Sequence, residues 1–259
     1  MDDVVAFLTD PANWTGTTGI PNRLVEHLVI SGLALAFAVL IAIPLGLYIG
    51  HTNRWSGLAI NLANIGRAVP SYAMMVIPLP LTLTLAPVLG YDPTFGLVFL
   101  PIFIAMSLLA IPPLLVATYA GLRSVDRELI EAGRGMGLSE LQIVRRIEIP
   151  LASSIIVGGF RTATLQVIAT ATIGAILSGG GLGRFIVDGR NQGLAGRASI
   201  YAGAILVAAL AIGVDLILAA VQTQLTPRAV RKQGIQAVRA VTNLAEVAPG
   251  GGATGGPAI

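Results

Sequence analysis

The 259-residue chain contains no cysteine and only two histidines, His27 and His51. Disulfide frameworks, thiolate metal sites and cysteine nucleophiles are excluded, and two isolated imidazoles leave little from which to build a metal centre, so no metal site is expected. Charge is scarce as well. Asp, Glu, Lys and Arg make up 11% of the residues, against about 25% in soluble domains, too few to clothe a globule in water. Aromatic residues amount to 5% and do not interleave with a basic patch, so nothing supports nucleic-acid binding. The net charge of +3 is spread between apolar runs and reads as membrane topology. What is abundant is apolar sequence. Hydrophobic residues account for 54% of the chain, in runs that reach or exceed the roughly 20 residues of a spanning helix. The expected class is an all-α, multi-pass bundle of five or six helices in the plasma (inner) membrane.

Residues 1–27 are polar and acidic, with Asp2, Asp3, Asp10 and Glu26 against Arg23, and lack the basic start and immediate apolar run of a cleavable signal. Residues 28–225 form the membrane domain. Its expected spans are 28–50, 71–89, 96–119, 151–178 and 199–225. Residues 56–69 carry Asn61, Asn64 and Arg67 and read as an interfacial helix, with a sixth crossing as the alternative. Pro78, Pro80 and Pro87 must kink the second span, and Pro101, Pro112 and Pro113 interrupt the third. Tyr91, Asp92 and Pro93 mark a tight loop. Four glycines, Gly179, Gly180, Gly181 and Gly183, end the fourth span, and a polar loop leads to the fifth. The segment 226–259 is first basic and then a Gly, Ala and Pro run expected to be disordered in the cytoplasm. With five spans and the N-terminus outside, eleven Lys and Arg fall inside and four outside, as the positive-inside rule favours.

Between residues 123 and 150 every helical turn carries charge. A water-exposed helical hairpin is expected. Ser124 is a candidate N-cap ahead of Asp126 and Glu128, Gly135 and Gly137 break the first helix, and Ser139 with Gln142 forms a capping-box pattern that opens a second, which Pro150 ends or redirects.

The hairpin reads Glu131, Ala132, Gly133, three residues, Gly137, nine residues, Ile147, Glu148, Ile149, Pro150. This resembles the cytoplasmic signature of binding-protein-dependent ABC importer permeases, E-A-A, three residues, G, nine residues, I-x-L-P. Gly133 and Ile149 depart from it conservatively. The resemblance implies a type I importer permease fold in which this hairpin docks on a separate ATPase subunit and carries its motion into the membrane. Small residues at Ala132, Gly133 and Gly137 would permit close docking. Residues 64–71 are similar to the R-x-x-P stretch of these permeases, and residues 169–183 look most like the group that carries glycine betaine, carnitine and choline. A methionine or other amino-acid importer permease is the nearest alternative. The resemblance implies as partners two ATPase subunits that hold ATP and Mg, a second permease subunit, identical or homologous, and an extracytoplasmic binding protein. The chain itself contains no G-x-x-x-x-G-K-[ST] loop, so it is expected to be non-catalytic, with no cofactor of its own and membrane lipid around it.

Arg161 and Asp215 lie at matching depth, each about 15 Å from the cytoplasmic end of its span. They either pair or are separately satisfied by carbonyls and water. Thr162, Gln166, Thr170, Gly174 and Ser178 recur every fourth residue. With Arg161 and Asp215 they are the candidate translocation path, the alternative being interhelical hydrogen bonding. Gly46 and Gly50 make a G-x-x-x-G pair for which packing is the default reading. An ion-driven carrier would predict inverted repeats and several deep acids, and a membrane hydrolase would need a nucleophile with a partner. The sequence shows one deep acid and no such dyad.

Overall fold

The computed structural model describes residues 2–89, 93–177 and 179–225; the expected loop at Tyr91 and Asp92, the position of Ser178 and the segment from residue 226 lie outside the described residues. The described residues are helical or irregular, with no strand among them. In chain order the helices are α1 (Asp2–Thr9), α2 (Ile20–Thr52), α3 (Ser56–Ala68), α4 (Ser71–Val76), α5 (Pro78–Leu89), α6 (Pro93–Arg123), α7 (Arg127–Gly135), α8 (Glu140–Ile143), α9 (Ile149–Gly174), α10 (Gly183–Asn191) and α11 (Arg197–Leu225). Among the described residues, four stretches are long and apolar enough to cross a membrane: Ile20–Thr52, Phe99–Arg123, Glu140–Leu177 and Gly193–Leu225.

The second expected span, 71–89, is divided. Pro78 has no N–H to continue the hydrogen-bond ladder, so α4 stops at Val76 and α5 begins at the proline. The prolines within α2 and α6 do not end those helices; Pro101, Pro112 and Pro113 of α6 are buried, whereas Pro44 of α2 is exposed. The first long helix, α2, starts eight residues before the apolar run, at Ile20, with Gly19 as N-cap and Pro21 in its first turn. Its polar opening turns are held by partners: Asn22 donates to the Thr17 carbonyl at 2.6 Å and Arg23 pairs with Glu26 at 2.8 Å. Two further expectations are corrected. The polar loop after the glycines contains α10, and Pro150 does not end its helix. A π-helical turn, Val144–Glu148, precedes it, with the Ile149 N–H donating to the Val144 carbonyl. The widened turn makes room for a residue that lacks an N–H, so the helix continues from Glu140 to Leu177.

The core is a three-helix seam. Ala34, Ala38 and Ala42 of α2, Ile102, Met106, Ala110 and Leu114 of α6, and Ala163, Val167 and Ala171 of α9 each recur at four-residue spacing and are buried together. Glycines set how closely the backbones approach. A Cβ on Gly46 would lie 2.7 Å from Thr118, and one on Gly50 2.8 Å from Leu122, so the G-x-x-x-G pair of α2 packs on α6, with the two helices parallel. The α6–α9 pair is antiparallel, Gly174 facing Ile102 and Gly159 facing Ala117. Outside this seam, α11 lies on α9 and α10, and α1 reaches α11.

Gly159 is the tightest glycine of the three-helix seam: its Cβ would lie 2.1 Å from that of Ala117. Gly159→Ala is expected to destabilise the protein by about 1–3 kcal/mol through overpacking, read as a lowered Tm in detergent. Ala117→Gly in the same chain should restore most of the loss, and an unchanged Tm for the single variant would contradict this packing.

Candidate functional site

The hairpin between α6 and α9 is built by its caps. Asp126, not Ser124, caps α7, its side chain accepting from the Glu128 N–H; Ser124 instead donates to the Gly121 carbonyl one turn back. A serine hydroxyl three residues past a helical carbonyl can bond back to that carbonyl instead of opening a new helix. At the other end of α7, Leu138 N–H donates to the Gly133 carbonyl at 3.1 Å and Gly137 N–H to Arg134 at 2.9 Å, the paired bonds of a Schellman cap. Gly137 has φ +81°, the left-handed conformation that this cap requires and glycine supplies without strain. Ser139 then caps α8, donating its N–H to Gln142 Oε1 at 2.8 Å and accepting from the Gln142 N–H at 3.4 Å. Arg134 spans the turn to Glu140 at 2.8 and 3.1 Å. These hydrogen bonds hold the Arg134 guanidinium above the ordinary arginine range, so the link stays charged on the arginine side at any working pH.

The signature residues divide by this geometry. Ala132 and Gly137 are exposed, as are Glu131 and Pro150. Gly133 is buried inside the hairpin, where a Cβ would lie 2.8 Å from Ile147 Cδ1 and 3.5 Å from Leu138. It is a packing position within the hairpin, not a contact for a partner. Ile147 and Ile149 are half-buried, and Glu148 between them is buried.

Glu148 leads to a residue that sequence reading passed over. His51, in the last turn of α2, places Nδ1 2.8 Å from Glu148 and Nε2 3.0 Å from Glu140. A polar cavity of about 220 Å³ opens beside them, lined by Arg123, Arg127, Glu131 and Arg134 among others. The available signal was Glu148 itself, a carboxylate set between two isoleucines, which needs a partner if it is buried.

At mid-depth, Arg161 of α9 and Asp215 of α11 form a two-pronged ion pair, Arg161 Nε to one carboxylate oxygen and a terminal nitrogen to the other at 2.6 Å. Of the two readings left open, the structure takes pairing. The polar stripe of α9 does not stay on one face. Each step of four residues advances about 40° around a 3.6-residue helix, so Thr162 is exposed, Gln166 half-buried, and Thr170 and Gly174 are turned into the seam with α6. Ser178 lies outside the described residues. At the opposite end of the bundle, Glu26 accepts from the Gly181 N–H at 2.8 Å, and His27 contacts the Ile168 carbonyl at 3.1 Å.

The sequence pattern described as "Binding-protein-dependent transport system inner membrane component" matches residues 42–231. The choline transport system permease protein OpuBB of Bacillus subtilis is 34% identical over 232 residues, covering 90% of this chain and 98% of its own. The carnitine transport permease protein OpuCD of Listeria monocytogenes is 39% identical over 202 residues, covering 78% and 84%. Among solved structures, an inward-facing MetNI methionine ABC transporter superposes with a TM-score of 0.69 over 85% of this chain and 100% of its own, at 20% identity, a likeness of fold.

Two outcomes follow from this geometry. Arg161→Ala and Asp215→Ala should each lower the thermal stability of the purified protein, and the double variant should lose less than their sum; a loss equal to the sum would mean that the contact carries no energy. Gly133→Ala should stay within about 0.5 kcal/mol of the parent, because the Ile147 methyl can swing aside, whereas Gly133→Leu should cost about 1–3 kcal/mol in the same melt.

Proposed function

The chain belongs to the inner membrane components of binding-protein-dependent transport systems, and on that footing we propose that it is the permease subunit of an ATP-driven importer for quaternary-ammonium compatible solutes: glycine betaine, carnitine or choline. The names of the relatives supply the substrate class. The observation that carries the coupling role is the tip of the hairpin. Met136 and Leu141, on either side of the Gly137 turn, are 75% and 67% exposed, large apolar side chains at the end of a charged protrusion. Exposed apolar groups so placed are suited to burial in a partner's groove. Behind them the helix runs from Glu140 to Leu177 without a break, so a displacement of the tip is delivered to α9 as motion of one rod.

In this reading the hairpin faces the cytoplasm and docks on an ATPase subunit. ATP and Mg bind there, a second permease subunit completes the pathway, and an extracytoplasmic binding protein recognises the cation through aromatic faces. The role of this chain is mechanical: Glu131, Ala132, Gly137 and the exposed tip form the contact, and Gly133, Ile147, Ile149 and Pro150 shape it. Arg161 and Asp215 fix α9 to α11 beside the path, and Thr162 and Gln166 offer it polar groups. Asp215, the acid that an ion-driven carrier would use, is committed to Arg161.

The test is uptake into proteoliposomes holding the full complex and its binding protein, with labelled choline competed by glycine betaine, carnitine and methionine. ATP-dependent uptake competed by the quaternary amines is expected. A Cβ on Gly137 would meet nothing within 4 Å, so a side chain there has room, but at φ +81° a large one strains the Schellman cap as well as crowding the partner. Gly137→Trp should abolish uptake, while Gly137→Asn, which tolerates the left-handed backbone, should retain it. Movement of methionine alone would discard the substrate class and keep the coupling; movement without ATP would overturn the importer.

A further inference from the structure

His51 is the one place where α2 is tied to the hairpin by charge among the described ion pairs. The chemistry of that tie is unusual. Each ring nitrogen faces a carboxylate, Nδ1 at 2.8 Å from Glu148 and Nε2 at 3.0 Å from Glu140. Carboxylates only accept, so a ring nitrogen that carries a hydrogen donates in either contact. Its two anchors also differ. Glu148 is 3% exposed and lies in the π turn that leads into α9, whereas Glu140 is 56% exposed, opens α8 and is gripped from the far side by Arg134.

Other charged groups surround the bridge without replacing it. Arg123 from the end of α6, Arg127 and Glu131 from α7, and Arg134 line the adjoining cavity, and Asn53 beyond His51 accepts from the Tyr119 hydroxyl at 3.4 Å. The histidine is thus the only group of α2 in that ring of charges, and it touches both halves of the hairpin segment that α9 continues.

We propose that His51 is a positioning residue for coupling: a clasp between two carboxylates that makes α2 follow the hairpin, so that the push reaching α9 through its backbone reaches α2 through the imidazole. The inference rests on the importer reading above and deepens it. A hairpin clasped only to α9 would move one wall of the seam; clasped to α2 as well, it moves two. Opening the clasp leaves the docking tip, formed by Met136, Gly137 and Leu141, untouched. ATP hydrolysis and transport therefore separate.

The experiment uses the complete complex with its binding protein in proteoliposomes, recording ATP hydrolysis and uptake of labelled choline together, with glycine betaine and methionine as alternative probes. His51→Ala should leave assembly with the ATPase intact and hydrolysis within about twofold of the parent, while solute moved per ATP falls about tenfold, the scale of coupling within a charge network. Glu140→Gln, at an exposed position that poses no folding problem, should give a smaller loss in the same direction. His51→Arg, with a fixed charge and several donors, should restore the ratio. Parental ratios in both His51→Ala and Glu140→Gln, or a ratio in His51→Arg no better than in His51→Ala, would overturn the clasp while leaving the importer standing. A parent complex that moves none of the three probes with ATP would remove the importer and the clasp together.

Discussion

Close approach of helix backbones is the constraint on which the rest of the structure depends. In a bilayer, lipid tails are as apolar as leucine, so burying one helix against another gains nothing from excluding water. What remains is dispersion, which falls away within a fraction of an ångström, and so the helices that must hold together carry side chains small enough to let backbones meet. Ala34, Ala38 and Ala42 on α2, Ala110 on α6 and Ala163 and Ala171 on α9 do this along the seam. Gly46, Gly50, Gly159 and Gly174 do it at the crossings, where a single added carbon would collide. The same rule explains the composition: a chain rich in Ala and Gly and poor in aromatic side chains is suited to narrow contacts and ill suited to wide ones.

The polar groups are then placed where the seam leaves gaps. Arg161 and Asp215 fasten α11 to α9 in the middle. Glu26 fastens the glycine-rich turn after α9 to the opening of α2 at one end, and His51 fastens the hairpin to the close of α2 at the other. Each link joins elements far apart in sequence, and each engages α9 or a segment adjoining it. The helix that carries the hairpin is therefore the common member of the scaffold. Force applied to it is shared with α2, α6 and α11 through different chemistry: carboxylate and imidazole, backbone packing, and a two-pronged ion pair.

Much of this was legible in the sequence, because its strongest signals are the ones that physics makes local. Runs of apolar residues gave the long helices, and the Ser139 and Gln142 spacing gave the capping box that the hairpin uses. The spacing from Glu131 to Pro150 carried the resemblance to the family. What was missed depends on partners across the fold. The start of α2 at Ile20 was hidden because Asn22, Arg23 and Glu26 look like the end of membrane sequence, yet they are satisfied by groups up to 155 residues away. His51 read as part of a basic break because Glu148 lies 97 residues further on. Ser124 looked like a cap until the Gly121 carbonyl claimed its hydroxyl. The four-residue row of α9 read as a slanted stripe, and a helix of 3.6 residues per turn carries it around the axis from the exposed Thr162 to the buried Gly174.

The π turn before Pro150 also sets an angle. A π turn amounts to one residue inserted into an α-helix, and one residue corresponds to about 100° of rotation. The bearing of Arg161 toward Asp215, and of Gly159 toward Ala117, relative to the tip at Met136 and Leu141 is consequently fixed by that one supernumerary residue. The turn works as a phase shifter. Losing one residue from Val144–Glu148 would leave the length of the rod almost unchanged and its chemistry intact, but would turn the membrane half by more than a quarter of a revolution, presenting the wrong face of α9 to every helix it binds.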